Sequence, residues 1–239
     1  MRNCRSGWPV LFAKEFKQTM SSINIPTPLV SVVMAAYNAE RYITESVNTV
    51  LAQTYPHWEL IIVNDGSTDS TPAIAQEYSE SDSRIMVLTQ PNQGLGPARN
   101  AGIRQAKGDW LVFLDADDLW DPKILEKQIS VSERYPDVDV IFTDGWIFNN
   151  DDLNETRPYP TISGYFSAEE MYRLEYETNY IPVQTAMVSR KMVRKIGLQQ
   201  VIVRCCEDWD YWLRVARAGG NFYGIDEKLF YYRRHDSNM

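Results

Sequence analysis

The chain has 239 residues, 44% hydrophobic and 23% charged content, and a formal net charge of −8. That size and mixture suit one globular α/β domain with a substantial core. No basic stripe is available for nucleic acid, no run reaches the roughly 18–20 apolar residues of a membrane span, and three cysteines (Cys4, Cys205 and Cys206) are not a secreted disulfide framework, so a cytoplasmic location with reduced thiols is expected.

Residues 1–28 show little periodicity and read as an N-terminal extension, with Met20 an expected alternative start. From there strand and helix signals alternate. Val30–Ala36 is a short apolar, β-branched run, and Ile43, Val47, Val50 and Leu51 then recur at helical spacing. Glu59–Val63 is the second strand, and Thr71-Pro72 predicts an N-cap with proline at the first helical position. Arg84–Leu88 is the third strand. Gly96-Pro97 opens a helix that Gly108 should stop, and Trp110–Leu114 is the fourth strand. Asp121-Pro122 opens another helix with Ile124, Leu125 and Ile129 inward, and Val138–Phe142 is a fifth strand. After about residue 145 the pattern loosens, and Asn149–Asp152 and Arg157–Pro160 read as loop. A final helix is expected over Glu207–Ala218, broken by Gly219-Gly220. Near-continuous apolar strands alternating with helices predict a doubly wound, mostly parallel α/β sheet.

In such sheets ligands bind beyond the carboxyl ends of the strands. Tyr37-Asn38 follows strand one, Asn64-Asp-Gly-Ser-Thr-Asp69 follows strand two, and Asp115-Ala-Asp-Asp118 follows strand four, so three polar clusters converge on one rim. Asp115 and Asp117 are poor helix caps, and paired carboxylates suit a hard divalent cation shared with substrate phosphates. Asp118 and Asp121 have a capping reading, accepted here for Asp121. Gly94-Leu-Gly-Pro-Ala-Arg99 lacks the third glycine of a dinucleotide fingerprint and follows the wrong strand, which excludes nicotinamide binding; Arg99 could reach a phosphate. Acids at Glu207, Asp208 and Asp210 suit a first helical turn, and sequence alone does not single out Asp208. A lone His235 is more often structural than a ligand. His57 has no assigned role, and Cys205 and Cys206 read as structural.

Taken together, Val30–Asn38, Asn64–Asp69, Asn92–Gly102, Phe113–Asp118, Glu207-Asp208 and Tyr232–His235 resemble, in order, the motifs of family 2 glycosyltransferases across residues 29–239. The resemblance implies a GT-A fold and inverting transfer from a nucleotide-sugar donor, UDP- or dTDP-linked, with Mn2+ or Mg2+. It divides the chain into a nucleotide-sugar-binding half (29–135) and an acceptor half (136–239). It further implies that Ala35, Tyr37, Glu40 and Ala116 line the nucleotide-sugar site, that Asp65 accepts from the base, and that Arg99 lies near the phosphates. Asp115 would contact ribose or sugar, Asp117 would ligate the metal with His235 beside the diphosphate, and Asp208 would be the catalytic base. The expected acceptor is a glycan or lipid-linked hydroxyl in cell-envelope polysaccharide assembly, which would place the protein peripherally at the inner face of a membrane. The processive acceptor signature Gln-Arg-x-x-Arg-Trp is absent, which favours transfer of one sugar. The chain ends four residues after His235 where many relatives continue, so truncation is an expectation. Two rivals are a sugar nucleotidyltransferase, which would want a glycine-rich basic loop where Tyr37–Glu40 stands, and a non-catalytic sugar-nucleotide-binding scaffold.

Overall fold

The computed structural model describes residues 27–149, 152–202 and 206–235. Most of the N-terminal extension, with Cys4 and Met20, lies outside the described residues, as do Cys205 and Met239.

Strands β1 (Val30–Ala36), β2 (Trp58–Asp65), β3 (Ile85–Gln90) and β4 (Trp110–Phe113) form a parallel block in the order β3-β2-β1-β4. Helices α1 (Ile43–Leu51), α2 (Thr71–Ser81) and α3 (Leu95–Gln105) make the crossovers. Val30, Val32 and Met34 pack with Ile43, Val47 and Val50 of α1 on one face. Val33 packs with Ala98 and Ile103 of α3 on the other. Both faces of β1 are therefore buried, which explains why its sequence is a continuous apolar run rather than an alternating one. Helix α3 lies so close that a Cβ on Gly102 would land inside the Val33 side chain.

The rest of the chain extends this sheet. Elements β5 (Leu119–Trp120), α4 (Ile124–Arg134), β6 (Val138–Asn149), β7 (Asp152–Pro158), β8 (Gly164–Phe166), α5 (Ala168–Glu177), β9 (Met187–Ser189), α6 (Arg190–Ile196), α7 (Glu207–Arg217) and β10 (Asn221–Arg234) follow in order. The sheet continues β4-β9-β6-β10-β5, with β9 antiparallel to both neighbours and β6 parallel to β10. The doubly wound, mostly parallel sheet expected from the sequence is thus observed, with a mixed second half.

Three local expectations need correction. The stretch after residue 145 is largely strand, because β6 is held by β10 as far as Asn149 and by β7 on its other side. Partner strands, not local propensity, decide that conformation. Ser70 occupies the N-cap position of helix α2 without a side-chain cap bond, and Thr71 is its first residue; the Thr71 hydroxyl instead accepts the Ala39 N–H at 2.8 Å. Helix α4 starts at Ile124, and Asp121 acts from outside it by accepting the Lys123 N–H at 2.9 Å. Among the described residues, no helix is long and apolar enough to cross a membrane.

Candidate active site

The loops after β1 and β2 are knitted into one rim. Asn38 sits at φ +48°, and its Oδ1 accepts the Thr68 N–H at 2.8 Å. Glu40 donates its N–H to Asp69 and accepts the Ser70 N–H on Oε2 at 2.8 Å. Glu40 is therefore part of the rim's scaffold. Ala35 is half-buried on β1, whereas Tyr37 is 52% exposed and presents its ring at the rim. Asp65 is buried, and its carboxylate accepts from Gln90 Nε2 at 2.7 Å, the Gln93 N–H at 3.0 Å and the Gly94 N–H at 2.7 Å. It anchors the 92–94 loop. Gly66, at φ +72°, lies against that same loop, where a Cβ would come within 2.6 Å of the Asn92 nitrogen.

The acidic run after β4 is divided among three partners. Asp115 Oδ1 receives Arg99 Nη2 at 2.7 Å, and Arg99 Nη1 reaches Glu207 Oε1 at 3.2 Å. Arg99 is almost fully buried, with Phe113 beneath it. Burial opposes its charge, but Asp115 and then Glu207 outweigh that and hold the guanidinium firmly protonated. Its surroundings make Arg99 a clamp between β4 and the start of α7 rather than an outward-facing phosphate ligand. Ala116 is buried, its carbonyl accepting from Ser46 Oγ at 2.9 Å. Asp117 Oδ2 lies 3.0 Å from His235 Nε2, and the imidazole stacks on Tyr42 with centroids 4.7 Å apart. Asp118 does not cap a helix; it is fully buried and accepts the Arg233 N–H at 2.8 Å. Arg233 also donates from Nε to the Asp117 carbonyl at 2.8 Å, between the rings of Tyr42 and Phe148. The end of β10 thereby holds the acidic loop in shape. Burial and then the charge on Asp115 push Asp117 upward, with His235 opposing.

The third part comes from the distal half of the chain. Asp208, in the first turn of α7, accepts from Asn179 Nδ2 at 2.9 Å and forms no ion pair among the described residues. A cavity of about 670 Å³ is lined by the Asn92–Pro97 loop, Arg99, Asp115, Cys206, Glu207 and Asp208. Tyr159 has its hydroxyl pushed up, first by burial and then by Asp208, with Asp118 and Asp115 adding to it. Cys206, exposed and at φ +64°, is the residue before α7 and lines the same cavity. Asp210 pairs with Arg214 at 2.8 Å, an i,i+4 bridge within the helix.

Glu175 lies fully buried at the end of α5, and burial pushes its carboxyl up to about 8, with the charge of Asp208 adding to this. The unfolded chain releases that proton near 4.5, whereas the folded chain keeps it to about 8. Stability is therefore lost as pH rises across that window, on the order of a few kcal/mol. Glu175→Gln escapes this loss, so its melting temperature relative to wild type should be higher at pH 8.5 than at pH 5. An identical gap at both values would refute the assignment.

The chemistry of Asp117 and His235 fits a divalent cation. A carboxylate oxygen and an imidazole nitrogen arrive from opposite elements and lie 3.0 Å apart, and the charge crowding on Asp117 is what a cation relieves. Among the described residues no group of three or more His, Cys, Asp or Glu could hold a metal by itself.

Of the site residues expected from sequence, Arg99, Asp115 and Asp208 meet at one cavity, Asp117 and His235 meet each other, and Ala35, Tyr37, Glu40 and Asp65 lie in β1, β2 and the loops that follow them. Sequence reasoning missed Tyr159, Glu175, Asn179 and Arg233, and gave Asp118 and Glu207 capping readings. Only Arg233 carried a signal, its place in the Tyr232–His235 motif.

A family model, Glycosyl transferase family 2, matches residues 31–197. The chain is 35% identical over 209 residues to a Bacillus subtilis glycosyltransferase named for teichuronic acid biosynthesis, TuaG, covering 86% of this chain and 79% of that one. It is 33% identical over 215 residues to the B. subtilis glycosyltransferase EpsE, covering 88% and 74%. Among solved structures, S. aureus TarS 1-349 in complex with UDP-GlcNAc superposes with a TM-score of 0.72 at 21% identity, covering 88% of this chain and 60% of that one. The mannosyltransferase PcManGT from Pyrobaculum calidifontis, with GDP-Man and Mn2+, superposes with a TM-score of 0.64 at 19% identity, covering 92% and 62%.

Proposed function

The chain belongs to glycosyl transferase family 2 and has the GT-A fold, and from that premise we propose that it is a metal-dependent inverting enzyme that moves one sugar from a UDP- or dTDP-sugar to a hydroxyl of a glycan or lipid-linked acceptor. The observation that carries this reading is that one cavity is lined by the Asn92–Pro97 loop, Arg99, Asp115 and Asp208 together. Residues 29–135 supply its donor side and residues 136–239 its acceptor side. The UDP-GlcNAc bound to TarS supports a uridine nucleotide. The name of TuaG, a glycosyltransferase of teichuronic acid biosynthesis, supports work in polysaccharide assembly.

Tyr37 and Ala35 hold the base at the rim. Asp65 acts there mainly by fixing the 92–94 loop, and Asp115, oriented by Arg99, meets the ribose or the sugar. Asp117 and His235 would hold Mn2+ or Mg2+, which supplies positive charge next to the diphosphate. The acceptor hydroxyl attacks the anomeric carbon from the side opposite the diphosphate, the bond from that carbon to the phosphate oxygen breaks, and Asp208 takes the hydroxyl proton. One displacement at one face inverts the anomeric configuration.

A thermal-shift screen with UDP, dTDP, GDP and their sugar conjugates, with and without Mn2+, tests the donor site, since a ligand that binds only the folded protein raises its melting temperature. A Mn2+-dependent rise with UDP or dTDP compounds is expected. A response only to GDP compounds would reassign the base, and a folded protein silent to all three would sink the donor reading. Asp117→Ala should keep its fold and lose the Mn2+-dependent part of the UDP shift; an undiminished metal-dependent shift removes Asp117 from the site.

A further inference from the structure

The end of α5 grips the start of α7 at two points, and neither is used by the chemistry described above. The Glu175 backbone carbonyl accepts the indole N–H of Trp209 at 2.5 Å, and Trp209 is the residue next to Asp208. The Glu175 carboxyl accepts the Tyr180 N–H at 2.9 Å, closing the chain into the turn that follows α5. That turn presents Asn179, whose Oδ1 is tied to the Ile181 N–H at 3.3 Å and whose Nδ2 is therefore aimed outward, at Asp208 Oδ2, 2.9 Å away. Glu175, Asn179, Asp208 and Trp209 form one closed loop of contacts between two elements.

We propose that Asn179 and Glu175 are positioning residues that hold the Asp208 carboxylate in the cleft. The inference rests on the reading of Asp208 as the base. A carboxylate that must take a proton from a hydroxyl has to keep one oxygen directed at the acceptor, so its other oxygen needs a fixed partner. Asn179 supplies that partner without charge, and a lysine or arginine there would hold the carboxylate as an ion pair and weaken it as a base.

Glu175 suits the role as a neutral acid. Its second oxygen, Oε2, is buried with no hydrogen-bond partner among the described residues, surroundings that disfavour a negative charge there. The groups that act on it are the N–H groups of Tyr180 and Ile181 and, from α7, the charge of Asp208. The other charges of that helix start are committed elsewhere, Glu207 to Arg99 and Asp210 to Arg214. On α5 itself Arg173 pairs with Glu169 at the surface. From the sheet, Tyr165 of β8 is bonded to Asp137. A second negative charge at Glu175 would therefore press directly on Asp208 and on the bonds that hold it.

The test is a pH titration of the ¹⁵N–H resonances of the Trp209 indole and the Asn179 carboxamide in the whole chain, between pH 5.5 and 9.5. Trp209→Phe and Asn179→Ala assign the two signals. Both are expected to shift together with a midpoint of about 8, and Glu175→Gln should abolish both transitions while leaving the low-pH positions unchanged. Asp208→Asn removes the charge that opposes ionisation of Glu175, so it should lower the common midpoint. Transitions that persist in Glu175→Gln, or an Asn179 signal indifferent to both substitutions, overturn the proposal. If Glu175→Gln does not fold, the Asp208→Asn shift still decides it. The titration needs neither sugar donor nor acceptor, so it can fail while the transferase reading stands.

Discussion

Asp208→Asn is expected to bind UDP with Mn2+ as wild type does and to lose about 10²- to 10⁴-fold in sugar transfer, the range a positioned general base contributes. The geometry supports a clean separation of the two effects. Asp208 sits in the first turn of α7, lines the cavity, and is held by a neutral amide rather than by a cation. The residues of the nucleotide rim belong to β1, β2 and their loops, and none is bonded to Asp208. An asparagine fills the same volume and can still bond to Asn179 after an amide flip, so the fold should survive. Turnover in the presence of the acceptor, set beside the UDP-dependent thermal shift of the same variant, makes the measurement. Undiminished transfer removes Asp208 from the mechanism. Loss of both transfer and nucleotide binding would show that it serves the donor site instead.

Arg99→Met should cost about 3–5 kcal/mol of stability, the range for removing one member of a buried ion pair. Arg99 is 1% exposed and holds Asp115 and Glu207 together. The Glu207 side chain is only 9% accessible, so it cannot recover the lost interaction from water. For a domain of this size the cost corresponds to a fall of roughly 10 °C in melting temperature. Activity should fall beyond what unfolding explains, because Arg99 joins the loop carrying Asp115 to the helix carrying Asp208. A partial recovery of melting temperature in the double variant Arg99→Met/Glu207→Gln is expected, since it removes one of the two stranded charges. A melting temperature within 2–3 °C of wild type for Arg99→Met alone would show that water reaches the carboxylates, and the clamp reading would fall.

The two halves of the chain differ in how much their sequence reveals. The first four strands lie in a parallel block with both faces covered, so the apolar runs Val30–Ala36 and Trp110–Leu114 are visible without knowing their partners. The polar residues that must follow such strands at the ligand-binding edge, Asp65 and Asp115–Asp117, are visible for the same reason. In the second half β6 shifts register against both β10 and β7, and β7 is exposed at nearly every position. The run Val138–Phe142 is visible locally, but the continuation of β6 to Asn149 and the whole of β7 depend on pairing with β10 and with each other, which no local window contains.

Residue types and their order along the chain thus determined the parallel half of the sheet, the polar clusters at its carboxyl edge and the family, because apolar periodicity and strand-end motifs are local properties of a chain. Tertiary structure alone decided what each charged group does. Arg99 could have met a phosphate, but it is buried between Asp115 and a glutamate 108 residues away. Asp118 could have capped a helix, but it receives a backbone N–H 115 residues on. Asp208 could have been one more acid in a helix start, until folding set Asn179 against it and opened the cleft before it. The reason is physical: the energy of a charge depends on its burial and on its partners within a few ångströms, and folding chooses those partners from anywhere in the chain.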